Sequence, residues 1–151
     1  MPFEFKHRRR VEFFETDMAG IVHFSNYLRY MEMAEHDFLR SIGFSVNGQI
    51  GGRHVGWPRV HASCDYRAPL KFEDELEIHV LVKEKKPRVL EYLHAIRRGV
   101  GGPVVAVGRM VAVCVAVDDK GAFAATEIPE ELASQIQVAP AELVAGYLKR
   151  P

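Results

Sequence analysis

The chain lacks an excess of either charge. Its 151 residues include 20 basic and 20 acidic side chains, so the formal charge is zero and the isoelectric point is about 7.1. A general nucleic-acid binder usually carries a basic excess on one face. The composition therefore argues against nucleic acid as a partner, whereas a small anionic ligand needs only a local patch of charge.

Cysteine is also scarce, and no run of apolar residues is long. Cys64 and Cys114 lie in strand-like segments without metal-ligand spacing, so we expect two small buried thiols, although a disulfide between them is compatible with the sequence. No window approaches the roughly 20 apolar residues of a membrane-spanning helix. The first residues have no apolar run behind their charges, unlike a signal peptide. These features predict a cytoplasmic protein without a membrane span.

What is present is the composition of a globular domain. Hydrophobic residues make up 48% of the chain and charged residues 26%, which are ordinary values for a soluble protein. A chain of this length can bury most of the surface that its unfolded form exposes. We therefore expect residues 1–151 to form a single domain.

The clearest predicted element is a long helix that ends at Gly43. Ser25 or Asn26 is a suitable N-cap, and Gly43 occupies the position of a left-handed C-terminal cap. Between them, apolar residues recur at helical steps of three and four: Tyr27, Met31, Ala34, Phe38 and Ile42. Other apolar residues widen this stripe, so we expect a helix that is buried on more than one side.

The remaining chain reads mainly as strands. Residues 3–13 alternate between apolar and charged side chains, which predicts an edge strand that divides the triplet Arg8, Arg9 and Arg10 between two faces. Further strands are predicted at 60–66, 76–82, 88–97 and 104–117, the last of them central because it is apolar at nearly every position. Short helices are expected at 129–136 and 141–148, and the glycine-rich segment 44–56 as a mobile loop bordering a site.

This order of elements predicts an α+β fold. Four consecutive strands joined by short turns imply antiparallel neighbours. An antiparallel sheet can hide one face against a single apolar helix. We therefore predict a sheet wrapped around one long central helix.

The segment from Glu15 to Tyr27 concentrates groups that can perform chemistry. A helix N-terminus presents unpaired backbone N–H groups and about half a positive charge, which stabilise a carbonyl oxygen or a carboxylate. Asp17 can act there as a general base or as a nucleophile. His23 can orient Asp17 or bind a substrate. The alternatives are a turn-forming aspartate and a histidine that packs at the helix start.

The stretch from Asp17 to Glu32 resembles the Asp-x-x-Gly-[Ile/Val]-Val…Asn-Tyr…Tyr-x-Glu signature of hotdog-fold acyl-CoA thioesterases. The segments 64–70 and 127–132 are similar to the branch that contains 4-hydroxybenzoyl-CoA thioesterase and the Tol–Pal-associated acyl-CoA thioesterases. This resemblance implies hydrolysis of a small aryl- or short-chain acyl-CoA, with coenzyme A as part of the substrate and with no separate cofactor or metal. It also implies homodimers or homotetramers with sites at the subunit interface.

The resemblance also implies which residues form the site. It places the catalytic carboxylate at Asp17, and we expect His23 to assist it. Relatives often have Tyr-His or Trp-Tyr where this chain has His23 and Phe24. The expected substrate-binding residues lie in the turn, in the helix or in a loop of the partner subunit: Gly20, Val22, Phe24, Asn26, Tyr27, Glu32 and Gly56.

Three alternatives stay open at this point. In another hotdog branch the carboxylate lies within the helix, where Glu32 or Glu35 would be the candidate. A hotdog hydratase or dehydratase would use a histidine and a carboxylate in proton transfer, and a non-catalytic domain would bind acyl-CoA without turnover. The phosphates of coenzyme A could bind either of two basic clusters, which otherwise are ordinary solvated turns: Lys83, Lys85, Lys86 and Arg88, or Arg97 and Arg98.

Overall fold

The computed structural model describes residues 2–150. Its strands are β1 (Glu4–Arg10), β2 (Gly48–Ile50), β3 (Arg53–Gly56), β4 (Arg59–Tyr66), β5 (Glu75–Lys85), β6 (Val89–Arg98), β7 (Val104–Val113), β8 (Val115–Val117) and β9 (Phe123–Ala125). Its helices are α1 (Ser25–Ser41), α2 (Glu130–Ala133) and α3 (Ala141–Leu148), with a one-turn 3₁₀ helix at Phe13–Glu15.

The main sheet covers α1, as the sequence predicts. Five antiparallel strands lie in the order β1-β5-β6-β7-β4, and a second sheet has the order β2-β3-β8-β9. Tyr27, Met31, Ala34 and Phe38 of the apolar stripe are buried in the core with residues such as Ile78 and Leu90, and Ile42 at its end is partly buried. The α+β prediction is therefore confirmed, and β1 lies at a sheet edge, as its alternation indicated.

Close approach of α1 to the sheet depends on Gly108 in β7. A Cβ atom at Gly108 would lie 1.9 Å from Cε and 2.5 Å from Sδ of Met31, whose side chain is fully buried. No real Cβ atom tolerates such distances. The absence of a side chain at Gly108 therefore leaves the space that the Met31 side chain occupies.

The other face of the sheet is covered by α3. Leu81, Leu93 and Val107 form a smaller apolar cluster with Ala139 and Val144. Because successive strand residues point to opposite faces, these side chains lie across the sheet from α1. Buried His79 on β5 joins the same side, with its Nδ1 atom 2.7 Å from the Tyr147 hydroxyl and its Nε2 atom hydrogen-bonded to Glu4.

The helix termini confirm one expectation and correct another. Gly43 has a φ of +88°, and its N–H donates to the Arg40 carbonyl, as expected of a left-handed cap. The predicted N-cap was wrong, because Phe24 is the N-cap and Ser25 is already helical. Asn26 is buried within the first turn, where its side chain bonds outside the helix.

Three segments also differ from their predicted strand or loop structure. Strand β1 ends at Arg10, because the chain turns into the 3₁₀ helix through a capping box of Glu12 and Glu15. The segment 44–56 contains the hairpin β2–β3, which turns at two glycines with positive φ. The predicted strand 104–117 is interrupted at Cys114, whose N–H donates to the Arg88 carbonyl as the chain passes into the second sheet.

Smaller features complete the fold. The helix predicted at 129–136 is limited to the four residues of α2, whereas α3 matches its prediction. Both cysteines are free, with Cys114 buried and Cys64 half-buried. No helix among residues 2–150 is both long and apolar enough to cross a membrane.

Candidate active site

Asp17 occupies a tight turn just before α1. The N–H of Asp17 donates to the Ile21 carbonyl (2.8 Å), and the N–H of Gly20 donates to the Asp17 carbonyl (3.0 Å). Gly20 has a φ of +82°, a left-handed conformation that favours glycine. The Asp17 atom Oδ1 accepts the N–H of Ala19 (2.8 Å), whereas Oδ2 accepts no hydrogen bond from the residues that the structure describes. One carboxylate oxygen is thus fixed and the other is available.

Buried Glu15 fixes the position of this turn. Its carboxylate accepts two hydrogen bonds of 2.8 Å from Arg9 and one of 2.8 Å from the N–H of Glu12. Its carbonyl accepts the N–H of His23 (2.9 Å) and the side-chain amide of Asn26 (2.8 Å). Both ends of the Asp17 turn are therefore anchored to the helix start.

Two clefts meet at Asp17. The first, which we call the Tyr66 cleft, has a volume of about 470 Å³ and is lined by Asp17, Ile21, Val22, Phe24, Tyr27, Tyr66, Arg67, Ala68 and Pro69. The second, the Phe72 cleft, has a volume of about 560 Å³ and is lined by Phe13, Phe14, Thr16, Asp17, Met18, Gly20 and Phe72. Asp17 lines both, so a bound molecule could extend from its carboxylate in two directions.

Two phenols form one wall of the Tyr66 cleft. The rings of Tyr27 and Tyr66 are perpendicular, with centroids 4.9 Å apart, and the Tyr66 hydroxyl donates to the Phe24 carbonyl (2.9 Å). Burial, together with the neighbouring Cys64 thiol, raises the pKa of Tyr66 to about 12. Burial also raises the pKa of Tyr27. Both phenols are therefore protonated at neutral pH and cannot serve as bases.

Phe24 presents a backbone donor at the start of α1. Its N–H donates no hydrogen bond within residues 2–150, whereas the N–H groups of Val22, His23 and Asn26 are all occupied. An unpaired N–H at a helix N-terminus can stabilise the oxygen of a carbonyl that develops negative charge. Phe24, which has such an N–H, lines the same cleft as Asp17.

The structure brings together five of the nine predicted site residues. Val22, Phe24 and Tyr27 line the Tyr66 cleft with Asp17, and Gly20 lines the Phe72 cleft. These residues are contributed by the turn and by the first helical turn of α1, so their proximity follows from the local sequence.

The other four lie outside both clefts. The His23 ring stacks on Phe24 (4.4 Å between centroids), and its Nδ1 atom lies 2.8 Å from the Ser25 hydroxyl. Asn26 is occupied by its bond to Glu15. Glu32 is exposed on α1, and Gly56 packs in β3 against Val115.

The sequence did not single out the residues that complete the cleft walls. Tyr66 ends β4 and Arg67, Ala68 and Pro69 follow it, and only the family-like stretch 64–70 drew attention to them. Phe13, Phe14, Met18 and Phe72 lacked any local signal, because their grouping depends on the tertiary contact between the 3₁₀ helix and the turn before β5.

The alternative helix carboxylate is enclosed in the core. Glu35 is 1% exposed and lies 2.6 Å from Arg59 and 3.0 Å from the Nε2 atom of buried His94. It lines neither cleft. Glu35 is therefore a buried partner of two basic groups, and substrate entering either cleft would not reach it.

The two basic clusters lie at opposite ends of the sheet. Lys83 pairs with Glu91 (3.0 Å), and Lys85 donates to the carbonyls of Ala133 and Ile136, so both are engaged in structural contacts. Arg98 lies opposite Leu76 in the ladder between β6 and the start of β5, and its side chain donates to the Pro69 carbonyl. Only the second cluster is thus at the Asp17 end. No group of three potential metal-binding side chains occurs among residues 2–150.

Comparison with known proteins agrees with this architecture. The profile of the family described as the Thioesterase-like superfamily matches residues 11–136. A 1,4-dihydroxy-2-naphthoyl-CoA hydrolase of Synechococcus sp. (strain CC9902) is 37% identical over 93 residues, which cover 58% of this chain and 62% of that protein. A 4-hydroxybenzoyl-CoA thioesterase of Pseudomonas sp. (strain CBS-3) is 29% identical over 128 residues, covering 82% of this chain and 91% of that protein.

A solved structure extends the similarity to the fold. The structure of a gentisyl-coenzyme A thioesterase superimposes with a TM-score of 0.73 and 33% identity, covering 85% of this chain and 98% of that one. The chain spans about three fifths of the length of several curated relatives that it matches (63%, 62% and 57%). The predicted hotdog fold is confirmed, and the chain belongs to the Thioesterase-like superfamily.

Proposed function

We propose that this protein hydrolyses the thioester of a small aryl- or short-chain acyl-CoA to the free acid and coenzyme A. The observation that carries the proposal is the Asp17 carboxylate, which has one oxygen free where two clefts meet. The relatives named for 4-hydroxybenzoyl-CoA, gentisyl-CoA and 1,4-dihydroxy-2-naphthoyl-CoA support an aryl acyl group.

In the proposed reaction, the N–H of Phe24 polarises the thioester carbonyl. Asp17 Oδ2 then either removes a proton from an attacking water or attacks the carbonyl carbon itself, in which case water hydrolyses the resulting anhydride. In both routes the C–S bond breaks, the thiolate of coenzyme A takes up a proton, and one water is consumed. The fixed Oδ1 atom keeps the free oxygen aimed at the same point.

We assign the other predicted residues by their positions. Val22 and Tyr27 would contact substrate in the Tyr66 cleft, and Gly20 would shape the Phe72 cleft. His23 would act through Phe24, on which it stacks, and Asn26 through its bond to Glu15. These assignments make Asp17 the catalytic residue and make His23 a positioning residue.

A homodimer would complete the site. Strand β4 is an eight-residue edge strand with mostly exposed side chains, including Val60 and Tyr66. Pairing of β4 with a second β4 in antiparallel orientation would place the Arg59 end of one strand opposite the Tyr66 end of the other. The partner's Gly56 and the segment after it would then border the Tyr66 cleft, a role that Gly56 does not have within its own chain.

Further assignments follow the same reasoning. Within the superfamily, the motif from Asp17 to Glu32 favours the 4-hydroxybenzoyl-CoA thioesterase branch, with the Tol–Pal-associated enzymes as its short-chain variant. We propose a single domain over residues 1–151, a cytoplasmic location and no cofactor other than the coenzyme A of the substrate.

The hydratase alternative is less favoured. Such an enzyme requires a histidine and a carboxylate that share the same substrate atoms. The structure gives His23 a hydrogen bond with Ser25 and places its ring outside both clefts that Asp17 lines. Hydrolysis by Asp17 alone needs no such pairing.

The decisive experiment is Asp17→Asn, assayed by thiol release from a panel of aryl, short-chain and long-chain acyl-CoAs. Asparagine keeps the oxygen that accepts the Ala19 N–H but removes the charge, so we expect kcat to fall about 10²- to 10⁴-fold at an unchanged melting temperature. Asp119→Asn, in the exposed turn between β8 and β9, is the matched control. A fully active Asp17→Asn variant would contradict the role of Asp17, and binding without thiol release by the wild type would indicate a binding domain instead.

A further inference from the structure

A carboxylate, a guanidinium and an imidazole meet between α1 and the main sheet. Glu35 of α1 is 1% exposed, and its Oε2 atom lies 2.6 Å from the guanidinium of Arg59 at the start of β4. The Nε2 atom of His94, a fully buried residue of β6, lies 3.0 Å from Oε1 of the same carboxylate. Replacing a buried ion pair by apolar residues is often neutral or stabilising. The group therefore calls for a role other than stability.

An irregularity in β4 turns Arg59 towards this carboxylate. Ala62 lies opposite Met110, which belongs to the core around α1. With strict alternation Val60 would share that face with Ala62, and Arg59 would point to the other face. The ladder shifts its register at Val60, however, so that Arg59 lies opposite Ala112, which belongs to the same core. A β-bulge of this kind re-aims a side chain, and here it brings a guanidinium under the sheet.

The same contact fixes the segment that enters β4. Gly56 pairs with Val115 in the second sheet. The Pro58 carbonyl accepts the N–H of Val113 in the main sheet (3.0 Å). The Arg59 guanidinium adds a third attachment, this time to α1. The segment is therefore held to both sheets and to the central helix.

This segment lies at the end of β4 that a second copy would reach. In the antiparallel β4 pairing of the proposed homodimer, the Arg59 end of one strand lies opposite the Tyr66 end of the other. Tyr66 lines a cleft with Asp17, whereas Arg59 lines neither cleft of its own chain. The effect of Arg59 on the reaction is therefore expected at the site of the second copy.

We propose that Glu35 is a positioning residue: through Arg59 it holds the segment that enters β4 against the active site of the partner subunit. His94 contacts the second oxygen of the Glu35 carboxylate and thereby restricts its rotation. The proposal rests on the proposed hydrolysis at Asp17 and on the proposed homodimer. A displacement of about 1 Å in a group that positions substrate can lower a rate about 100-fold, even when the substitution lies far from the reacting atoms.

The first test removes both charges from one chain, with Glu35→Gln and Arg59→Met, so that no lone charge remains in the core. We expect kcat for thiol release from 4-hydroxybenzoyl-CoA to fall about 10- to 100-fold, with an unchanged molecular mass by light scattering. A double variant as active as the wild type would overturn the proposal.

Glu91→Gln with Arg109→Met is the matched control. Glu91 is 6% exposed and pairs with Arg109. Arg109 lies opposite Leu93, which belongs to the cluster under α3, so this ion pair is on the other face of the same sheet. We expect the control to keep the wild-type kcat. An equal loss in both double variants would overturn a specific role of Glu35.

A hybrid dimer then separates the two chains. One chain carries Glu35→Gln and Arg59→Met, the other carries Asp17→Asn, and two different affinity tags allow the hybrid to be purified. One of its two sites combines Asp17 of the first chain with the intact segment of the second, so we expect about half the kcat of the wild-type dimer. A merely structural effect stays within its own chain and gives no such recovery. A hybrid no more active than the double-variant homodimer would overturn the proposal.

A failure of the proposed function would be visible separately. If the wild type releases no thiol from any acyl-CoA, hydrolysis fails, and titration with a non-hydrolysable thioether analogue of 4-hydroxybenzoyl-CoA tests the positioning role alone. Weaker binding of that analogue by the Glu35→Gln, Arg59→Met variant than by the wild type and the control would support the role of Glu35. Equal binding by all three would overturn it.

Discussion

The guanidinium of Arg9 donates two hydrogen bonds of 2.8 Å to the carboxylate of Glu15, at the point where the Asp17 turn is attached to the fold. The same guanidinium lies 4.9 Å from the centroid of the Tyr30 ring. This pair connects the edge strand β1 to α1 and to the active-site turn. This ion pair is therefore one of the contacts that hold the Asp17 turn against the fold.

We expect Arg9→Met to lower the free energy of unfolding by about 3 kcal/mol, because it leaves the buried Glu15 carboxylate without its cation. Chemical denaturation at neutral pH measures this change. Arg10→Met is the matched control, since the Arg10 side chain is exposed on the same strand. Similar losses in the free energy of unfolding in both variants would contradict a specific contribution of the ion pair to stability.

Gly20→Ala should disturb the turn through its backbone alone. The φ of +82° costs an alanine about 1–2 kcal/mol, and a Cβ atom there would meet no atom within 4 Å. We expect a lower free energy of unfolding and a reduced kcat on any good substrate. Gly48→Ala, where a Cβ also meets no atom and φ is not positive, is the control. Full stability of Gly20→Ala would mean that the turn tolerates another conformation.

Gly108→Ala should destabilise the contact between α1 and the sheet by about 1–3 kcal/mol, because the added methyl group overlaps Met31. Met31→Ala in the same chain removes the overlap. We therefore expect the double variant to be more stable than the sum of the two single losses predicts, as measured by a double-mutant cycle. Additive losses would contradict a direct clash.

The stability of the protein should fall in mild acid because of His79. Burial lowers the pKa of His79 below its ordinary value of 6.5, although the Glu4 carboxylate acts in the opposite direction. As pH falls through about 6.5, the unfolded chain takes up a proton before the folded one does, so the folded state loses stability until the pH passes the folded pKa.

The variant His79→Gln isolates this effect. We expect its free energy of unfolding to depend less on pH between about 7 and 5 than that of the wild type. His54→Gln, an exposed histidine on β3, is the control and should keep the wild-type slope. An unchanged slope in His79→Gln would exclude His79 as the source of the acid sensitivity.

Val60→Lys should weaken the proposed dimer. Charged residues on an edge strand, lysine above all, oppose its pairing with another strand, and Val60 is 64% exposed on β4. Light scattering should therefore show a lower molecular mass at equal concentration for this variant than for the wild type. Val100→Lys, at a residue that is 65% exposed in the β6–β7 hairpin, is the control. A monomeric wild type would contradict a site shared between two copies.

Local patterns in the sequence were enough to predict the long helix and the edge position of β1. The Tyr27-to-Ile42 stripe has the helical period, and Gly43 ends it in the expected conformation. The β2–β3 hairpin was missed because its strands are short and glycine-rich, so turn residues outweighed any alternation. The break at Cys114 was missed because apolar residues continue across it while the chain changes sheets.

The same distinction applies to the site. Asp17, Gly20 and Phe24 lie in one continuous segment, so their grouping could be predicted from the motif. Tyr66 and Phe72 reach Asp17 only through folding, because they belong to β4 and to the turn before β5. His23 is close to Asp17 in sequence, yet its ring bonds to Ser25. Separation along the chain was thus an incomplete guide to which side chains line the clefts.

The two cleft walls come from separate parts of the chain and share only Asp17. One wall combines the start of α1 with the residues that follow β4, and the other combines the 3₁₀ helix with Phe72. Substitutions in one wall can therefore accumulate without altering the other. Two surfaces beside one carboxylate can thus change independently during evolution while the carboxylate itself is retained.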